Sequence, residues 1–64
     1  MMKSNTYLVM VRELDEGDYE LVTVTNEKAV GYLLADFIEM SGVEIAVVEE
    51  RNGMPHFIFR KICY

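Results

Sequence analysis

Asn52-Gly53 stands between two runs rich in β-branched and aromatic residues and constrains the fold more than any other feature of the chain. A two-residue type I′ turn needs positive φ at both central positions, which Asn followed by Gly tolerates well. Residues 43–50 and 57–64 are therefore expected to fold back on each other as antiparallel strands. Counting outward from Arg51 opposite Met54 sets Glu49 against His56, Val47 against Ile58, Ile45 against Arg60 and Val43 against Ile62 on one face. The other face then pairs Glu50 with Pro55, Val48 with Phe57, Ala46 with Phe59 and Glu44 with Lys61. Opposite charges meet at Glu44 with Lys61 and at Glu49 with His56, and no like charges collide.

The same reasoning gives a first hairpin. Residues 7–12 and 19–25 are runs free of Gly and Pro, separated by Leu14-Asp15-Glu16-Gly17-Asp18, which is turn chemistry. Between the hairpins, Val30, Leu33, Leu34, Phe37 and Ile38 recur at the helical period. Asn26 is placed to cap a helix running from about residue 27 to about 41, and Gly42 suits its left-handed end. Lys28, Tyr32, Asp36 and Glu39 form the expected solvated side. Gly31 interrupts the helix at a cost of about 1 kcal/mol relative to Ala; with Ala35 it makes a line of small residues that suits close approach by another element.

The expected fold is thus α+β: one ββαββ domain over residues 1–64, an antiparallel sheet of two hairpins with one helix packed on one face. Strand order is open. Both faces of the second hairpin carry apolar clusters, and the first strand alternates Tyr7, Val9 and Val11 with Leu8 and Met10. A sheet apolar on both sides must be covered on both, and one helix of about 22 Å covers one face.

Size sharpens that requirement. A chain of 64 residues hides only about 60% of its unfolded surface, and such domains usually rely on a staple. Cys63 is the only cysteine and His56 the only histidine, so neither an internal disulfide nor a structural metal is expected, and no cofactor motif is present. Oligomerisation remains, with a homodimer packed sheet on sheet as the expected form and Ala46, Val48, Phe57 and Phe59 as its interface.

Six basic against eleven acidic residues leave a net charge of -5, which argues against nucleic acid as a partner, since phosphate binding draws on clustered Lys and Arg. The first residues hold no apolar stretch long enough for a signal sequence or membrane span, so no membrane partner and a cytoplasmic location are expected. Hydrophobic content of 52% disfavours disorder.

Three groups of residues invite a chemical reading. His56 beside Glu49 has the composition of an acid-base pair, but no nucleophile or oxyanion donor accompanies it, and a cross-strand ion pair accounts for it. Cys63 near Arg60-Lys61 is a thiol with basic neighbours; in a terminal strand it serves as a small packing residue. Glu13, Asp15, Glu16, Asp18 and Glu20 crowd the first hairpin without the spacing of a calcium loop. They and Tyr32 are candidate contacts to a basic protein partner.

The function expected from these features is that of a small acidic, non-enzymatic binding or regulatory protein acting as a homo-oligomer, such as an inhibitor or accessory factor of the kind mobile elements encode. One alternative is a small-molecule binder with a site at a subunit junction lined by Tyr7, Tyr19, Phe57 and Phe59. Another is an enzyme whose site is shared between subunits through His56, Glu49 and Cys63.

Overall fold

A computed structural model describes residues 5–64. The elements run β1 (Thr6–Glu13), β2 (Glu20–Thr25), α1 (Lys28–Phe37), β3 (Val43–Arg51) and β4 (Met54–Cys63). The four strands form one antiparallel sheet in the order β2-β1-β3-β4. The fold is the α+β ββαββ arrangement expected, with the first strand of each hairpin meeting its counterpart at the centre and α1 leading from an edge strand to an inner one.

The Asn52-Gly53 turn forms as its sequence dictates, with both residues at positive φ and Arg51 opposite Met54. Pairing follows the expected register as far as Val48 opposite Phe57, and there Ile58 is inserted as a bulge. Beyond it every partner moves by one: Val47 faces Phe59, Ala46 faces Arg60, Ile45 faces Lys61, Glu44 faces Ile62 and Val43 faces Cys63. Since side chains alternate along a strand, this correction transfers Phe59 to the face of Val47 and moves Arg60 and Ile62 to the face of Ala46. A second bulge sits in β2 at Val22, between the pairs Val9 with Thr23 and Met10 with Leu21.

The helix is shorter than its periodicity suggests and is turned over. Glu27, not Asn26, is its N-cap, and the Thr25 hydroxyl accepts the Glu27 N–H at 3.1 Å. It ends at Phe37 because the following residues are drawn into the sheet: Gly42 donates its N–H to the Cys63 carbonyl at 2.7 Å, and its own carbonyl accepts from Leu14. The residues facing the sheet are Gly31 and Ala35, both buried. A Cβ on Gly31 would stand 3.5 Å from Val47 Cγ1 and 3.6 Å from Tyr7 Cβ, so the small-residue line is where the helix lies down.

With that side inward, Leu33, Leu34 and Phe37 of the expected core stripe point away, while Ile38 still packs against the core. Leu33 is 58% exposed and Phe37 is 74% exposed. Tyr32, expected in solvent, is half-buried and meets Phe59 edge-on at 5.6 Å. The core between helix and sheet is made of Tyr7, Val9, Ala35, Val43, Ile45 and Val47, flanked by Val11, Ile38, Ile58 and Phe59. No helix among the described residues is long and apolar enough to cross a membrane.

Candidate functional site

The face of the sheet away from α1 holds the most specific chemistry in the molecule. Reading across the four strands, it consists of three rows: Val24, Leu8, Val48 and Phe57; then Leu21, Met10, Ala46 and Arg60; then Arg12, Glu44 and Ile62. In each row the β3 side chain is the inner one, and its longer neighbours lean over it. Val48 and Ala46 are consequently buried within a single chain, whereas Leu21, Val24, Phe57 and Ile62 at the edges stay about half exposed.

Glu44 is 1% exposed although no layer of secondary structure covers it. Its lid is built from side chains. Arg12, its cross-strand partner, donates Nε at 2.9 Å and Nη2 at 2.7 Å to one carboxylate oxygen. Arg60 donates Nε at 2.6 Å and the Tyr19 hydroxyl donates at 2.8 Å to the other. Tyr19 in turn packs against Phe57 with ring centroids 5.7 Å apart, and the Arg12 guanidinium lies 5.4 Å from the Tyr19 centroid. A carboxylate removed from water needs this degree of pairing, since a buried ion that lacks partners is very costly. Hydrogen bonds from Arg60, Tyr19 and Arg12 outweigh the opposing effect of burial and hold the Glu44 carboxyl down at about 2. Both arginine pKa values are raised by the same contact.

A second buried carboxylate lies on the helix side, near the β3–β4 turn. Glu49 accepts from Arg51 at 2.6 and 2.8 Å, from the Tyr7 hydroxyl at 3.0 Å and from Asn5 at 2.9 Å. Arg51 is the main reason that its pKa is lowered. His56 occupies the register position opposite Glu49 but is exposed, and the Glu49 hydrogen bonds go to these other groups. Cys63 stands at the far end of β4 opposite Val43, about 23 Å from His56 at 3.3 Å per residue. Within one chain, therefore, His56 and Glu49 do not meet Cys63.

The four interface candidates divide. Ala46, Val48 and Phe57 share the open face, and Phe59 faces the helix. The aromatic set divides in the same way, Tyr19 and Phe57 on the open face and Tyr7 and Phe59 on the other, so they do not line one site within a chain. Glu13, Asp15, Glu16, Asp18 and Glu20 do gather, lining an open hollow of about 510 Å³ together with Met40 and Val43. Among the described residues no group of His, Cys, Asp and Glu side chains has a metal-holding arrangement.

Sequence reasoning missed Glu44 because a glutamate in a strand reads as solvent-facing. The available signal was Arg12 at the same alternation phase in β1, which acquires meaning only once β1 and β3 are neighbours. No protein-family model, curated protein or solved structure matches the chain.

Proposed function

We propose that this protein is a non-enzymatic binding protein with a regulatory role, working as a homodimer in which the open sheet faces of two copies pack together. The supporting observation is the apolar border formed by Leu21, Val24, Phe57 and Ile62, half exposed around side chains already closed over β3. Sheets stack about 10 Å apart with interleaved side chains, and burying the remaining half of each of these four side chains contributes about 1 kcal/mol apiece. For a domain of this size that gain is comparable with total stability.

Size-exclusion chromatography with light scattering tests the reading. The wild-type chain should run as a dimer at micromolar concentration, and Phe57→Lys should run as a folded monomer. A wild-type monomer that binds no hydrophobic dye would end the proposal.

A further inference from the structure

The outward side of α1 is a second apolar surface, separate from the open sheet face, and carboxylates predominate around it, the nearest cations being Lys61, whose Nζ donates to the Asp36 carbonyl at 3.1 Å, and Lys28, which lies over the Tyr32 ring. Leu33 and Phe37 lie one helical turn apart, and Met40, 53% exposed, follows three residues after the helix end. Asp36 and Glu39 border Leu33 and Phe37 in a shallow depression. Met40 also lines the hollow that holds Glu13, Asp15, Glu16, Asp18 and Glu20. The depression and the carboxylate-rich hollow thus adjoin along the chain, consecutive residues Glu39 and Met40 lining one and the other. Among the described residues, all three ion pairs belong to Glu44 and Glu49, so none of these five carboxylates is matched by a basic side chain. Arg12 reaches the same hollow but spends its guanidinium on Glu44.

From this combination we infer that the α1 stripe and the adjoining hollow form a docking surface for a basic amphipathic helix of another protein. Leu or Ile residues of that helix would lie on Leu33, Phe37 and Met40, and its Lys or Arg residues would face the hollow. Apolar anchors at helical spacing laid on an exposed apolar surface are a recurrent mode of recognition, and opposite charge raises the encounter rate and selects the partner. A second copy of the chain suits this surface poorly, because it carries a net charge of -5 and the same acidic rim. The inference rests on the binding-protein reading but not on the dimer, because it uses the other side of the molecule.

The test uses the intact chain and three synthetic peptides: a Leu/Lys peptide patterned as an amphipathic helix, a scrambled peptide of identical composition, and a Leu/Glu peptide of the same pattern. Fluorescence anisotropy should show saturable binding of the patterned Leu/Lys peptide, one per chain, weakening with added salt. The scrambled peptide should bind about ten-fold more weakly, and the Leu/Glu peptide should not bind. Leu33→Ser with Phe37→Ser, both at exposed positions, should lose about ten-fold in affinity while circular dichroism shows the fold retained. Asp15→Asn with Glu16→Gln and Asp18→Asn should flatten the salt dependence. Equal binding of patterned and scrambled peptides, or affinity unmoved by the serine pair, overturns the inference. A dimer that dissociates in the serine pair also overturns it, by making the stripe a self-contact. Light scattering on Phe57→Lys judges the sheet-to-sheet dimer independently.

Discussion

β2 and β3 are both rich in β-branched and aliphatic residues, and both belong to the same sheet, yet their fates differ. Every residue from Val43 to Glu49 in β3 is buried, on both faces and including two glutamates, whereas β2 has no buried residue. Composition does not separate them; position does. β3 has neighbours on both sides, α1 above it and the side chains of β1 and β4 leaning over it below. β2 is an edge strand, and its Leu21, Val22 and Val24 remain about half in water. Hydrophobicity thus reports what a strand can lose by exposure, and sheet order decides what it does bury.

The contrast is open to direct attack, beginning where β3 is most enclosed. Ile45→Ala removes a fully buried side chain and should cost about 3 kcal/mol in urea melts, counting both lost transfer energy and the cavity left behind. On a domain this small such a loss should leave much of the population unfolded. A cost below about 1 kcal/mol would show that the centre of the sheet is loosely packed.

Glu44→Gln comes next, at about 2 kcal/mol, because it turns a carboxylate oxygen toward Arg60 into an amide donor while leaving the shape intact. Its pH dependence sharpens the point. The folded-state value of Glu44 lies below its ordinary value, so the unfolded chain takes up the proton first as pH falls. Wild-type stability from this group is complete above about 4.5 and is lost as pH falls toward about 2. The Gln variant should lack that part of the acid sensitivity, leaving the decline owed to Glu49. If the two melts run parallel across this pH range, the open-face cluster is an ordinary surface ion pair.

Gly31→Ala should move stability the other way. The added methyl would meet Val47, Tyr7 and Thr25 at 3.5–3.7 Å, ordinary contact distances, and Ala is favoured over Gly in a helix by about 1 kcal/mol. A gain of about 0.5–1 kcal/mol is expected, measured as a raised thermal midpoint, and any loss would mean that the helix lies closer to the sheet than these distances state. The smallest effect belongs to β2, where Val22→Thr should change stability by less than about 0.5 kcal/mol. A larger loss in dilute monomer would contradict the exposed-edge description.

These contrasts also locate what could be read from the residues. Both hairpins, the Asn52-Gly53 turn and the central helix were legible, because turn chemistry and the two hydrophobic periods act locally. The Ile58 bulge was not, since Phe57-Ile58-Phe59 is a continuous apolar run in which no alternation shows where the pairing slips. The orientation of α1 was hidden for a related reason. A periodic apolar stripe normally marks the inward side, but here Gly31 and Ala35 let the helix backbone approach the sheet, and that contact prevailed over burial of Leu33 and Phe37. Glu44 depended on strand order, which neither hairpin specifies alone.

The central seam has a consequence for how the chain reaches this structure. Each hairpin closes over a few residues, but β1 and β3 join partners as near as Glu13 with Val43 and as far as Thr6 with Glu50. Loop-closure entropy makes such a joining the slow event. The two hairpins should therefore assemble early, and the rate-limiting barrier should be their zipping along Thr6–Glu13, with the helix as tether. Truncating Val9 should then slow refolding more than truncating Val24.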